Sequence, residues 1–127
     1  MPRIFTVSEE EKTEGKEIRK DYFDRHSPVV VCEKTAKKGE KFRVKVRVGS
    51  EYSHPDDPDH YIHYVQLWNR ETLLAEAIFP PGTLGNQKSQ AEVDFYIILL
   101  LGMNLSAMSY CTKHGLWQSE PVEVKVI

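Results

Sequence analysis

The sequence predicts an all-β protein, an immunoglobulin-like β-sandwich of about seven strands. Three observations carry this prediction. Residues 41–48 alternate strictly, with Phe42, Val44, Val46 and Val48 on one face and Lys41, Arg43, Lys45 and Arg47 on the other, the period of a half-buried antiparallel strand. Six further short runs accompany it, bounded by turn residues. No helical pattern lies between them.

The elements follow in order. Residues 1–22 are expected to form a short helical or extended arm. Ser8 and Glu11 have capping-box spacing, a charged stretch follows, and Gly15 interrupts it. Such an arm suits a contact with another subunit. Residues 23–127 are expected to form the sandwich domain. Its strands are placed at 29–33, 41–48, 60–68, 73–79, 91–100, 104–111 and 122–127. Pro80-Pro81-Gly82, Gly85-Asn86 and Gly102 punctuate them. The basic face of the second strand reads as a solvated strand face, with docking of an acidic partner as the functional alternative.

At 127 residues the chain is one domain, large enough to bury a core without disulfide staples. With 17 basic and 19 acidic side chains the net charge is −2, which excludes a general polyanion binder. No nucleic-acid partner is expected. The longest apolar run, Ile97 to Met103, falls far short of the roughly 20 residues a membrane helix needs. The N-terminus shows no apolar signal core, so a cytoplasmic protein is expected. Two cysteines do not make a disulfide scaffold. A Cys32–Cys111 bridge is conceivable, and Cys32 reads as a small buried apolar residue.

The histidines carry the chemistry. His26 opens the first strand region. His54 and His60 bracket the loop Pro55-Asp56-Asp57-Pro58-Asp59, whose carboxylates are either plain loop residues or groups that orient the two imidazoles. His114 follows Cys111 in Cys111-Thr112-Lys113-His114-Gly115-Leu116-Trp117. A thiolate and an imidazole at this spacing can reach one ion from a tight turn, with Gly115 relaxing the backbone. Alternation puts Leu105, Ala107, Ser109 and Cys111 on one strand face. It puts Ile62, Tyr64, Gln66 and Trp68 on the face of His60, and His63 on the other, as a structural residue. If the four other histidines and Cys111 converge, they exceed the four ligands of structural zinc. They suit an iron with an open sixth position opposite the sulfur, a setting for one-electron chemistry on an oxygen species.

At these residues the chain resembles the superoxide reductases, the neelaredoxin and desulfoferrodoxin family. The resemblance covers residues from about 24 to 127. It rests on Asp24-Arg25-His26-Ser27-Pro28-Val29, on Val48-Gly49 leading to Ser53-His54-Pro55 and Asp59-His60-Tyr61-Ile62, and on Ser109 to Ser119. It implies reduction of superoxide to hydrogen peroxide at a mononuclear iron. His26, His54, His60 and His114 would be the equatorial ligands and Cys111 the axial one. With no cysteine before Cys32, the chain is similar to the single-iron class, whose members are often homotetramers and take electrons from a rubredoxin-like protein.

The chain departs from the family at three places. Asp24 stands where the family has a glutamate that can close the oxidised iron's sixth position. Arg25 stands where the family has a lysine that attracts the anion. Arg25 keeps the charge but does not readily release a proton. Lys113 lies in the spacer between Cys111 and His114, as a second cation or a solvated turn residue. Two other readings compete. A blue-copper electron carrier also combines a sandwich with a C-terminal Cys and His, but needs a methionine after His114, whereas Met103 and Met108 precede it. A metal-free sandwich that binds a protein partner is the other.

Overall fold

A computed structural model describes residues 4–5 and 20–127. The chain runs β1 (Ile4–Phe5), α1 (Lys20–His26), β2 (Pro28–Val31), β3 (Thr35–Ala36), β4 (Lys41–Val48), β5 (Ile62–Asn69), β6 (Thr72–Ile78), β7 (Glu92–Ile98), β8 (Met103–Cys111), β9 (Gly115–Gln118) and β10 (Val122–Val126). The protein is mostly β, and all seven predicted strands are present with ends shifted by a few residues. Three short strands, β1, β3 and β9, add to them. The capping box at Ser8 and Glu11 and the break at Gly15 lie outside the described residues. Helix α1 spans the expected boundary between arm and domain at residues 22 and 23. No helix among the described residues is long and apolar enough to cross a membrane.

Two sheets face each other. The smaller is β2-β4-β7, antiparallel throughout. The larger is centred on β8, which pairs with β5 on one side and with β9 and β10 on the other. Strand β6 extends it beyond β5, while β1 and β3 add parallel strands to β9 and β10. The alternation in β4 decides its orientation: Val44, Val46 and Val48 are fully buried against the other sheet. From β8, Leu105, Ala107, Ser109 and Cys111 all point inward with no exposed surface. Val65, Leu67 and Val124 belong to the same core. Burying each of these Val and Leu side chains contributes about 1.5–3 kcal/mol before entropy is counted. The basic face of β4 is the solvated face, and Lys45 and Arg47 there both meet Glu92, at 3.2 and 3.8 Å.

Strand β5 departs from its predicted phase. Its pairing with β8 shifts register between Ile62 and Tyr64, so Ile62, Val65 and Leu67 turn inward while Tyr64, Gln66 and Trp68 lie on the other face. The extra residue of a β-bulge reverses the alternation, and sequence periodicity does not reveal it. His60 therefore stands before the strand, in a bridge with Asp57.

The loop from Gly49 to Tyr61 is pinned rather than loose. His54 exchanges two backbone hydrogen bonds with Ser89, at 2.9 and 3.1 Å. Asp56 is buried, and its carboxylate accepts backbone N–H groups of Gly82, Leu84 and Asn86 at 3.3, 2.9 and 3.0 Å. Of the two readings of the loop carboxylates, Asp56 takes neither: it orders residues 82–86, not an imidazole. Replacing it leaves three donors short of an acceptor. Asp56→Ala is expected to lower unfolding free energy by about 1–3 kcal/mol in denaturant titrations, whereas Asp57→Ala, on the exposed tip, changes it by less than about 0.5 kcal/mol.

Candidate metal centre

Three segments meet at one end of the sandwich, and local sequence places each. The first is the end of α1. Asp21 in its first turn and Arg25 in its last complement the helix dipole. Pro28 disfavours helix at Ser27, so the helix stops there and β2 begins. Ser27 closes the end, its N–H and hydroxyl both donating to the Phe23 carbonyl, at 3.0 and 2.6 Å. His26 is thereby turned inward, 1% exposed, and its carbonyl accepts the Ser109 hydroxyl at 3.1 Å.

The second segment is the loop before β5, which carries His54 and His60. The third is the hairpin from β8 to β9, where Cys111 faces Gly115 across a three-residue turn. Gly115 has φ +85°, the left-handed value such a turn requires. The Tyr61 N–H donates to the Thr112 hydroxyl at 3.1 Å, and the Thr112 N–H donates to the Tyr61 carbonyl at 3.0 Å. This exchange lashes the loop to the hairpin.

The ligating atoms of His26, His54, His60 and Cys111 all lie within 4.8 Å of one another. His114 borders them. Its Nδ1 is 3.6 Å from the Cys111 sulfur, and its ring centroid is 4.7 Å from that of His26 and 5.0 Å from that of His60. Four of the five candidate ligands thus converge within 4.8 Å of one another, and His114 lies beside them. His63 stays apart, its ring against Tyr61 and Tyr64.

The hydrogen bonds select the tautomers. Nδ1–H of His26 donates to the Tyr22 carbonyl at 2.7 Å, and Nδ1–H of His54 donates to the Pro55 carbonyl at 2.7 Å. A carbonyl only accepts, so each ring keeps its lone pair on Nε2, facing the cluster. Nε2 of His54 is 3.2 Å from the Cys111 sulfur. Nε2 of His26 and Nε2 of His60 are buried with no hydrogen-bond partner among the described residues. Burial holds the His26 pKa down at about 3 against the Tyr22 hydrogen bond, and the neighbouring histidines add to this. Burial likewise holds His54 at about 4, and lowers His60. The imidazoles are therefore neutral near pH 7. Burial raises the Cys111 thiol, although N–H groups of Lys113 and His114 favour its thiolate. Neutral imidazoles with inward lone pairs and an inward thiol fit a borderline-soft cation, which would ionise the thiol and fill both orphaned nitrogens.

Arg25 and Asp24 lie beside this cluster. Arg25 pairs with Asp21 on its own helix at 2.9 Å, and its charge is felt by His54. The Asp24 side chain accepts hydrogen bonds from residues 50–52. Burial opposes its charge, but the bonds from Ser50, Tyr52 and Glu51 outweigh this and keep its pKa below the usual value. Lys113 is exposed, 4.0 Å from Asp59. Both cysteines are free thiols, so the conceivable Cys32–Cys111 bridge is not formed, and Cys32 is half-buried.

Two aromatic residues of the site, Trp117 of the quoted motif and Tyr22, received no role in the sequence reading. The Trp117 indole stacks on His26 at 5.1 Å and 18°, and its N–H donates to the His114 carbonyl at 3.2 Å. The Tyr22 ring contacts both His26 and His114, at 4.8 and 5.2 Å. Their signal was spacing: Tyr22 lies four residues before His26 on a helix, and Trp117 three after His114.

The comparisons with known proteins agree with this site. The Desulfoferrodoxin family model matches residues 11–120. Among curated proteins, the superoxide reductase of Thermococcus kodakarensis is 32% identical over 103 residues, covering 76% of this chain and 85% of the relative. That of Pyrococcus furiosus is 31% identical over 113 residues, covering 76% and 86%. Among solved structures, the superoxide reductase (neelaredoxin) of Ignicoccus hospitalis superposes with a TM-score of 0.74 at 29% identity, covering 98% of this chain and 95% of that one. The match spans the candidate ligand positions and most of the chain, and this protein belongs to the desulfoferrodoxin family.

Proposed function

We propose that the protein is a superoxide reductase that holds a mononuclear iron through His26, His54, His60, His114 and Cys111. The observation that carries this reading is the buried cluster of inward imidazole lone pairs and one thiol in a chain whose curated relatives are named superoxide reductase. Superoxide takes up one electron and two protons and leaves as hydrogen peroxide. Iron, when bound, supplies the electron by passing from the ferrous to the ferric state, and a rubredoxin-like protein is the expected source of its replacement.

The residues around the cluster have separable tasks. The carbonyls of Tyr22 and Pro55 orient His26 and His54 by holding their Nδ1 protons. Burial keeps the rings neutral, so they do not repel a cation. The His114 N–H donates to the Cys111 sulfur at 3.4 Å and moderates the electron density of the thiolate. Arg25 contributes a permanent positive charge that draws in an anion. Its guanidinium does not deprotonate, so water supplies the protons of the product.

Self-association into a homotetramer belongs to the same reading. The edge strand β7 and the residues after it support it, with Tyr96 63%, Ile98 53% and Leu100 61% exposed in one row. Sedimentation at micromolar concentration is expected to give about four times the mass of one chain, and a monomer would remove that part of the proposal.

Protein purified without oxygen is expected to contain about one iron per chain and to gain a visible thiolate-to-iron absorption on mild oxidation. Copper in its place would favour an electron carrier. No metal after iron supplementation would favour a binding module. Cys111→Ser is expected to abolish both the absorption and the reaction with superoxide, and retention of both would end the metal assignment. Arg25→Ala should slow the reaction several-fold at low salt and flatten its dependence on ionic strength. An unchanged rate would exclude Arg25 from substrate capture.

A further inference from the structure

We propose that Asp24 is a positioning residue, a carboxylate clasp between the two segments that carry His26 and His54, and not a ligand of the metal. The clasp is a property of the chain itself. Only its consequence for the metal rests on the superoxide reductase reading.

The geometry is specific. Asp24 lies in the last turn of α1, two residues before His26. Its Oδ1 accepts the Ser50 N–H at 3.1 Å and the Ser50 hydroxyl. Its Oδ2 accepts the N–H groups of Ser50, Glu51 and Tyr52 at 3.2, 2.8 and 2.7 Å. Three successive backbone N–H groups thus converge on one carboxylate, a concavity suited to an anion. A carboxylate offers about four lone-pair sites, and these contacts occupy them. Ligation would require stripping several charge-assisted hydrogen bonds. Among the described residues, the cluster of convergent ligand atoms contains no carboxylate.

Other contacts hold the same two segments together. Lys20 pairs with Glu51 at 2.9 Å. The Gly49 N–H donates to the Ser27 carbonyl at 2.9 Å. Gly49 has φ +86°, and a Cβ there would lie 2.6 Å from the Tyr52 carbonyl oxygen and 3.2 Å from that of Asp24. The turn is therefore folded tightly onto the helix end. His54 follows Tyr52 by two residues, and its ring centroid sits 5.0 Å from that of His26. The clasp sets the separation of two ligands by tying their chains together two residues upstream of each. An aspartate has the short reach this span needs.

The test uses Asp24→Asn and Ser50→Ala, each studied without metal and after loading. Asp24→Asn is expected to lower the unfolding midpoint of the metal-free protein by roughly 5–10 °C. It should weaken Co²⁺ binding about 10- to 100-fold. Ser50→Ala, which leaves the carboxylate intact, should move both quantities the same way by less. The ferric absorption maximum of iron-loaded Asp24→Asn should coincide with that of the parent. An unchanged metal-free midpoint, or a shifted ferric maximum, would overturn the proposal. If Asp24→Asn does not fold, Ser50→Ala decides: weaker Co²⁺ binding with a lower metal-free midpoint supports the clasp, and no change in either sinks it. A chain that takes up no iron in any form would end the reductase reading, while the metal-free unfolding data would still decide the clasp.

Discussion

Two imidazole nitrogens, Nε2 of His26 and Nε2 of His60, are buried at the end of an apolar sandwich with no hydrogen-bond partner among the described residues, and the surrounding structure is arranged to keep them there. An unsatisfied buried polar atom costs about 1–3 kcal/mol. A chain that needed only stability would expose such rings or pair them. Here backbone carbonyls hold Nδ1 of His26 and of His54, which commits the Nε2 lone pairs to the interior. A cation is the partner that would offset the burial of several neutral rings and a thiol at once.

The sandwich supplies the rigidity this needs. Cys111 ends a strand whose inward residues from Leu105 onward are fully buried, so its sulfur is held by the core and not by a loop. Strand β5 pairs with β8 next to it, with Ile62 opposite Cys111, so the chain entering β5 arrives at the same end of the sandwich as Cys111. His60 reaches the cluster along that path. Trp117 links two candidate ligands through one side chain, stacking on His26 while holding the His114 carbonyl. The site is thus built from three segments distant in sequence, each fixed by its own short-range chemistry.

The two charged positions before His26 show how position and role separate. Arg25 keeps the sign of the charge expected beside an anion-binding centre, though it is also paired with Asp21 on the same helix. Asp24 keeps the carboxylate, but that carboxylate faces the turn at residues 50–52. Removing one methylene relative to glutamate changes what the group can span. The chemistry of a residue type therefore does not by itself assign its task.

The period-two pattern of residues 41–48 and the turn residues between runs determined the β class, because alternation leaves only one way to bury a strand face. The spacing of Cys111 and His114, with Gly115 behind them, made the tight turn that brings the two side chains together legible, since that geometry is local. The phase of β5 was not legible, because a bulge inserts one residue without any composition signal. Nor were the short strands β1, β3 and β9, each two to four residues long and defined by their partners. Only the tertiary structure decided that His26, His54 and His60 face Cys111, which of their nitrogens are free to bind, and that Asp24 and Asp56 bind backbone N–H groups. These depend on contacts between segments far apart in the chain, and such contacts arise from packing and hydrogen-bond geometry that no local pattern records.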